Sequence, residues 1–247
     1  MTESGQLWEG TGWEALGPRA GRRRLPVWDC TAGLVAGEHS ALLVDAGSSL
    51  GEGARLRAEA RLLLAPLGGD RDVTHLALTH PHFDHVFGAA SFPGAEVFGA
   101  VGVETVFAHE RAELAADGVR YGLDPREATD AAGALSAPDH LVSGEWTLDL
   151  GGVRVLLANV GPGHTAHDLV VLVPGEREVV FCGDLVEESG EPQAGPDAVP
   201  AQWPAALDRL LELGGEDALY VPGHGAVVDA AFVRAQRDEL AARFGVS

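Results

Sequence analysis

The sequence has no lysine and no isoleucine among its 247 residues, and it has only two cysteines, Cys30 and Cys182. The absence of lysine excludes Schiff-base catalysis and any lysine nucleophile. Two cysteines cannot form the disulfide framework that stabilises many small secreted proteins. Long hydrophobic runs are also missing, since segments such as 169–173 fall far short of the roughly 18 residues that a membrane span requires.

The charge of the chain is strongly acidic. Aspartate and glutamate together number 37 against 17 basic residues, all of them arginine, and the net charge is −20. A surface of this sign repels a phosphate backbone, so we expect no nucleic-acid partner. The three arginines at 22–24 are predicted to form a solvated basic turn, because no apolar segment of an export signal follows them. The polar segment 1–12 contains no secretory signal either, and we expect a cytoplasmic protein with no membrane partner.

Apolar residues recur with the period of strands in much of the chain, and several segments have the spacing of helices. Predicted strands cover residues 25–35, 40–45, 73–79, 95–98, 146–150, 153–160, 169–173, 178–182 and 218–221. Predicted helices cover 51–65, 204–213 and 230–244, and two or three more are predicted within 101–135. This mixture predicts a layered α/β (α+β) fold. The length predicts a single domain over 1–247, with 101–135 as a helical insert and 190–200 as one long irregular loop.

The turn after the third predicted strand reads Thr-His-Pro-His-Phe-Asp-His. Side chains two residues apart in an extended segment point in the same direction, so His80 and His82 can bind one metal ion. Pro81 favours this geometry, because the residue before a proline is held in an extended conformation. Where the chain then turns into a helix, Asp84 and His85 can reach a second metal ion nearby. Imidazole and carboxylate ligands together suit zinc, and also iron or manganese.

Three more candidate ligands, His164, Asp184 and His224, lie in the second half of the chain. Each follows a predicted strand and has a glycine directly before it. Glycine lets the backbone pass close to a crowded site. Because the loops at strand ends converge on one edge of a sheet, we expect these residues to meet the histidine-rich turn there.

The order of these motifs resembles the metallo-β-lactamase superfamily. The similar features are the His-x-His-x-Asp-His turn, the glycine-rich loop with His164, the Gly-Asp pair at Asp184, Pro-Gly-His-Gly at His224, and Leu-Leu-Val-Asp-Ala-Gly at 42–47. The resemblance implies a four-layered αββα sandwich with a dinuclear metal site. It also implies that Asp184 bridges two ions, one held by His80, His82 and His164 and the other by Asp84, His85 and His224.

The resemblance also implies a reaction, the hydrolysis of a small-molecule ester, thioester or lactone. The expected cofactor is two Zn²⁺ per chain, with iron and manganese as alternatives. Zinc lowers the pKa of its bound water to about 7, and a hydroxide held between the two metals would attack a carbonyl carbon. Asp84 is the candidate catalytic residue, because it can orient that nucleophile or move its proton. The metal site is net cationic, so we expect it to attract a small-molecule substrate that is anionic. The helical insert 101–135 and the loop 190–200 are expected to wall the substrate pocket, as loops on a rigid scaffold commonly do.

Other functions remain open at this point. A mononuclear iron sulfur (persulfide) dioxygenase resembles the same family in its first motif, but it binds one metal ion and consumes oxygen. β-Lactam hydrolysis is disfavoured, because true zinc β-lactamases usually lack a bridging aspartate at the place of Asp184. A metal-binding protein without turnover is the third alternative.

The remaining residues of interest are assigned to packing. His75 is interpreted as a core histidine and His167 as a surface or packing residue. We interpret Cys182 as a buried apolar thiol. Trp203 and Tyr220 are predicted to belong to the core.

Overall fold

The computed structural model describes residues 8, 11–68 and 71–246, which form two β-sheets and seven α-helices. The helices are α1 Leu50–Leu64, α2 Phe83–Val86, α3 Val103–His109, α4 Arg111–Arg120, α5 Pro125–Ala134, α6 Trp203–Gly214 and α7 Ala230–Phe244. None of these helices is long and apolar enough to cross a membrane.

The first sheet consists of seven strands that lie side by side in chain order. They are β1 Glu14–Ala15, β2 Ala20–Arg24, β3 Thr31–Ala36, β4 Ala41–Val44, β5 His75–Ala77, β6 Glu96–Ala100 and β7 His140–Val142. Strands β4 to β7 run parallel to one another.

The second sheet consists of β8 Glu145–Asp149, β9 Arg154–Ala158, β10 Val170–Val173, β11 Val179–Glu187 and β12 Leu219–His224. Their order in the sheet is β12-β11-β10-β9-β8, and only the β11–β12 pair is parallel among these described strands.

Alternating side chains of the second sheet belong to two hydrophobic cores. In β10, Val171 and Val173 belong to the core shared with the first sheet, whereas Val170 and Leu172 belong to the core shared with α6 and α7. This period of two is the one expected for a strand that is covered on both faces. Leucines of α1 belong to the core of the first sheet. The layers therefore form the predicted αββα sandwich.

Most predicted elements are present within a few residues of their predicted bounds. Helices α1, α6 and α7 correspond to the three predicted helices, and the insert contains α3, α4 and α5. The segment 190–200 contains neither helix nor strand, as predicted. Strands β1, β2 and β7 are additional elements that the sequence pattern did not indicate.

The strand predicted over 25–35 is present as β3 in its second half, whereas its first half, residues 25–30, lies outside that strand and contains a turn. The prediction of a solvated basic turn at 22–24 was wrong, because the three arginines lie in β2. Arg22 is buried at 4% exposure. Its Nε donates to Glu14 Oε2 at 2.7 Å, and its Nη1 donates to the carbonyl oxygen of Gly225 at 2.9 Å. Glu14 lies on the neighbouring strand β1, whereas Gly225 lies 203 positions away in the chain. Together they satisfy a guanidinium that would otherwise require solvent.

Candidate metal centre

The histidine-rich turn lies between β5 and α2, and it carries four of the seven candidate ligands. His82 precedes α2 with an extended backbone (φ −77°, ψ 149°), and Asp84 and His85 lie within that short helix. The predicted change from extended chain to helix is therefore present. His80 and His85 are 1% and 0% exposed. Both imidazoles thus need partners inside the protein.

The other three candidates approach this turn from the second sheet. His164 lies in the loop after β9, as predicted. Asp184 and His224 lie inside β11 and β12 instead of in the loops that follow them. The β11–β12 pairing shifts register on both sides of Gly183, and Gly183 itself has φ +54°. This irregularity lets the strands continue past their predicted ends and carry polar ligands.

Gly223, the glycine of the Pro-Gly-His-Gly motif, has a clear steric role. A Cβ atom at this position would lie only 1.8 Å from Asp184 Oδ1. A larger residue is therefore incompatible with the position of the Asp184 carboxylate. The glycine that identifies the motif in the sequence is what allows His224 and Asp184 to lie side by side.

His80, His82, His164 and Asp184 form the first donor set, in which one ligand atom from each residue lies within 4.8 Å of all the others. His164 Nε2 lies 3.0 Å from His82 Nδ1 and 3.5 Å from Asp184 Oδ2. His80 Nε2 lies 3.7 Å from Asp184 Oδ2. Separations of this size fit ligands that surround one ion at about 2.0–2.2 Å.

His85, Asp184 and His224 form the second donor set, again within 4.8 Å of one another, and Asp84 adjoins it. His85 Nε2 lies 3.2 Å from Asp184 Oδ1. His224 Nε2 lies 3.4 Å from Asp184 Oδ2 and 3.3 Å from Asp84 Oδ2. The structure thus brings all seven predicted residues together, and Asp184 belongs to both sets.

Two buried ligand atoms show that the donor sets fit metal ions. His80 Nε2 and Asp184 Oδ1 are buried and have no hydrogen-bond partner among the described residues. An unpaired buried polar group costs on the order of 1–3 kcal/mol, so native proteins rarely retain one without a reason. A divalent cation would satisfy both atoms, and nitrogen with carboxylate oxygen is a donor combination that zinc accepts. The residues therefore fit a bound metal.

Asp45 supports the second set from behind. Its Oδ2 lies 2.8 Å from His85 Nδ1, while its Oδ1 accepts a hydrogen bond from the Thr79 backbone N–H at 2.8 Å. Asp45 has φ +58°, in the left-handed region that aspartate and asparagine adopt more readily than most residues. His224 Nδ1 lies 2.7 Å from the Trp28 carbonyl oxygen. Because the Nδ1 atoms of His85 and His224 have these partners, the Nε2 atoms of both rings face the centre.

The loop 190–200 supports the first set. His82 Nε2 lies 2.9 Å from Asp197 Oδ2, and His164 Nδ1 lies 3.0 Å from the Gln193 carbonyl oxygen. The loop was predicted to wall the pocket, and both residues line it. Their contacts with the two histidines were not predicted, because the loop has no periodicity that would indicate them.

Asp168 fixes the backbone around His164. Its carboxylate accepts hydrogen bonds from the Gly163 N–H at 2.9 Å, the Thr165 N–H at 3.1 Å and the Thr165 hydroxyl at 2.8 Å. Burial nevertheless raises the pKa of Asp168 to about 7, because these three donors only partly offset the loss of water.

The imidazoles of the centre differ in proton affinity. Burial lowers the pKa of His164 to about 4 and that of His80 well below its ordinary value, so both rings are neutral at pH 7. Burial also opposes protonation of His224, but the carboxylates of Asp184 and Asp84 outweigh it and raise its pKa to about 12. A metal ion must therefore displace a proton from His224, whereas His80 and His164 already offer a lone pair.

Cys30 is a neighbour of the centre that sequence analysis missed. Its Sγ lies 3.5 Å from His85 Nδ1 and 3.7 Å from His85 Nε2, and Cys30, Asp84 and His85 form a third group of potential ligand atoms. Burial raises the pKa of the Cys30 thiol to about 11. No motif marks this residue. An isolated β-bridge with His224 places it beside the centre.

Comparison with known proteins decides the family. The family model of the metallo-beta-lactamase superfamily matches residues 25–224, which is 200 of the 247 residues. The chain belongs to the metallo-beta-lactamase superfamily. This range includes both donor sets and the 42–47 segment that carries Asp45.

Named relatives match shorter stretches of the chain. A probable metallo-hydrolase of Mycobacterium bovis is 34% identical over an alignment of 128 residues that covers 48% of this chain and 39% of that protein. A hydroxyacylglutathione hydrolase of Cupriavidus metallidurans is 41% identical over 61 residues, which are 24% of this chain and 23% of that protein. The chain thus spans well under half the length of these relatives. Both relatives are named as hydrolases, and the first is named a metallo-hydrolase.

A solved metallo-beta-lactamase from Pontibacter korlensis has the same fold. The TM-score is 0.72, with 92% of this chain and 97% of that chain covered, at 20% sequence identity. At this identity the likeness concerns the fold, and it agrees with the αββα layers described above.

In this member of the superfamily, the donor sets open into a pocket of about 310 Å³. His82, Asp84, His164, Asp184 and His224 all line it. A volume of this size is at the lower end of the range of about 300–1,000 Å³ that is typical of ligand sites. The pocket therefore gives a small molecule direct access to both donor sets.

Residues that were assigned to packing lie outside both donor sets. Three of them are buried as predicted: Cys182, Trp203 and Tyr220. His167 is half-buried, with its Nδ1 2.9 Å from the Val101 carbonyl oxygen, and it has the predicted packing role. His75 is only half-buried, so its assignment to the core was wrong.

Proposed function

We propose that the protein is a dinuclear zinc-dependent hydrolase of a small-molecule ester, thioester or lactone. The position of Asp184 carries this proposal, because its two carboxylate oxygens face both donor sets. Oδ1 lies 3.2 Å from His85 Nε2, and Oδ2 lies 3.5 Å from His164 Nε2. One carboxylate in this position can be shared by two metal ions.

In the proposed site, His80, His82 and His164 hold one ion, Asp84, His85 and His224 hold the other, and Asp184 is common to both. Bound zinc ions lower the pKa of a water molecule to about 7 and polarise a substrate carbonyl. Asp84 and Asp184 contribute two negative charges, fewer than the four positive charges of two divalent ions. The chain therefore leaves positive charge available to a carbonyl oxygen, whose negative charge grows during hydrolysis.

Asp84 is the residue to which we assign proton transfer. Its carboxylate lines the pocket, and its Oδ2 lies 3.3 Å from His224 Nε2. Burial alone would raise the pKa of Asp84, but His85 and His224 hold it below its ordinary value. The carboxylate is thus ionised at neutral pH, and it can accept a proton from water and return it to the leaving group.

The relatives support the type of reaction. One is named a probable metallo-hydrolase, and the name of another gives hydroxyacylglutathione, an acyl compound, as its substrate. Both matches cover less than half of this chain, so they support hydrolysis of an acyl bond without identifying the substrate. Nitrogen and carboxylate donors favour zinc over softer metals such as copper(I).

Metal analysis and a substrate panel test this proposal together. Inductively coupled plasma mass spectrometry of protein purified without added metal should find about two zinc ions per chain. The same protein should hydrolyse members of a panel of small thioesters, esters and lactones, with β-lactams as the comparison set. One iron per chain together with oxygen consumption would favour the sulfur dioxygenase. Two zinc ions without turnover of any panel member would contradict a hydrolase.

A further inference from the structure

One wall of the pocket is apolar and largely aromatic, formed by Trp28, Phe83, Leu114 and Tyr121. The Phe83 ring packs edge-on against Trp28, with 5.3 Å between ring centroids, and it stacks on Tyr121 at 6.0 Å. Phe83 and Leu114 are 6% and 7% exposed, whereas Tyr121, at the end of α4, is 63% exposed. An open aromatic ring beside a pocket offers apolar surface to a ligand.

Three carboxylates outside the donor sets also line the pocket, and we call them the acidic rim. Glu187 and Asp197 line the pocket, and Asp117 adds a third carboxylate from α4. Among the described residues that line the pocket, Arg120 is the only arginine, and its Nη1 lies 2.7 Å from Asp117 Oδ1. The acidic rim therefore has three carboxylates and one guanidinium, which pairs with Asp117, while Asp197 contacts His82.

We infer that the acyl group of the substrate is apolar and carries no negative charge. This inference rests on the proposed function, because it takes the scissile carbonyl to lie at the metal centre. A substituent on that carbonyl then extends past the apolar wall, where an alkyl or aryl group can bury against Phe83 and Tyr121. A carboxylate in the same place would meet Asp117, Glu187 and Asp197, and like charges repel more strongly in a partly desolvated pocket.

The acidic rim changes the expectation of an anionic substrate. That expectation considered only the charge of the metal ions, which acts on atoms that reach the donor sets. Asp117 and Glu187 line the same pocket as those sets. The positive charge of the centre therefore acts on the carbonyl oxygen, while the rim excludes a second negative group.

Three thioesters of N-acetylcysteamine test the inference on the zinc-loaded, full-length protein. Their acyl groups are acetyl, hexanoyl, and adipoyl, which has the six carbons of hexanoyl and a terminal carboxylate. In each reaction water adds to the carbonyl carbon, the C–S bond breaks, the sulfur takes a proton, and the released thiol is measured. We expect kcat/KM for the hexanoyl thioester to exceed that for acetyl by about tenfold, and that for adipoyl to be the lowest of the three.

Two aromatic variants show whether the apolar wall causes this preference. Tyr121→Ala should lower the hexanoyl-to-acetyl ratio by about threefold or more, because it removes the exposed ring of the wall. Tyr121→Phe should retain the ratio. Trp146→Ala is the matched control, since Trp146 is 41% exposed but lies in β8, away from the pocket lining. The control should keep the wild-type ratio.

The outcomes separate this inference from the function on which it rests. Equal rates for the three thioesters, or the highest rate for adipoyl, would overturn the inference and leave the hydrolase intact. An unchanged ratio in Tyr121→Ala would overturn it as well. Failure of the zinc-loaded protein to hydrolyse any of the three thioesters or any other panel member would overturn the proposed function, and the inference with it.

Discussion

The two donor sets of the centre are supported by different parts of the molecule. Asp45, which contacts His85 of the second set, is 2% exposed and directly follows strand β4 of the core. Behind the first set, the Asp197 side chain is 47% exposed and contacts His82 from an irregular loop. One half of the centre is thus supported by buried structure and the other half by a surface loop.

This difference links the first set to the pocket. Asp197 lines the pocket and also contacts His82. The hydrogen-bond partners of Asp45 within the described chain are Thr79 and His85, which are both buried. Carboxylate partners of ligating histidines orient the ring and increase its basicity. A change in the loop should therefore affect metal binding and substrate binding together, while a change at Asp45 should affect the metal alone.

The largest effect is expected from Asp184→Asn, which would remove the difference between the two halves. Because Asp184 belongs to both sets, the variant should lose affinity for both ions. Loss of a residue that only hydrogen-bonds a metal ligand can lower activity by roughly 100-fold. Because Asp184 is itself a candidate ligand, the rate of hydrolysis should fall by at least that factor. Native mass spectrometry and a thioester assay would measure this. Asp208→Asn, which alters a surface carboxylate paired with Arg237, is the matched control. Full occupancy in Asp184→Asn would contradict the shared role.

Asp45→Asn should weaken the second set selectively. Asparagine tolerates the left-handed backbone of this position, so the substitution changes the hydrogen bonds and not the fold. We expect affinity for one of two ions to fall about 10–100-fold, with the other ion unaffected. A zinc titration against a competing chelator resolves the two steps. Equal weakening of both steps would show that Asp45 does not act on one half alone.

Asp197→Ala should weaken the first set by a smaller factor, about tenfold or less, because the lost contact is half exposed to water. The Michaelis constant for thioesters should change in the same variant, since Asp197 lines the pocket. Glu191→Ala is the control within the same loop, because its carboxylate pairs with Arg243 instead. If metal affinity falls equally in both variants, the effect belongs to the loop as a whole.

The last prediction concerns protein stability instead of metal affinity, and it tests the pH dependence of the first half. Burial raises the folded-state pKa of Asp168 to about 7, above the value of about 3.9 in unfolded chains. Between these values the folded protein keeps a proton that the unfolded chain has lost, so stability falls as pH rises. The slope is at most about 1.4 kcal/mol per pH unit. Urea unfolding of wild type and Asp168→Asn from pH 4 to 7 measures the difference, and parallel curves would show that Asp168 ionises normally.

Local spacing made the candidate ligands predictable. The His-x-His-x-Asp-His turn places its donors within six residues, and glycines mark the close approaches at Asp184 and His224. Apolar periodicity predicted the mixture of strands and helices, whereas the four-layered αββα sandwich was implied only by the resemblance to the family.

Contacts between distant residues could not be read from such spacing. Asp197 reaches His82 across 115 positions from a loop without periodicity. Arg22 appeared to be a solvated cation, because its partner in the carbonyl group of Gly225 lies 203 positions away. Cys30 likewise reaches the centre through a bridge to His224. Tertiary packing positions such residues, so their contacts cannot be predicted from the local sequence.

Anomalous diffraction at the zinc absorption edge, from crystals of the protein grown with zinc, tests the central claim most directly. Two peaks are expected on opposite sides of the Asp184 carboxylate. One peak should lie among His80, His82 and His164, and the other should contact His85 and His224. A single peak, or two peaks that Asp184 does not join, would contradict a centre built around one shared carboxylate.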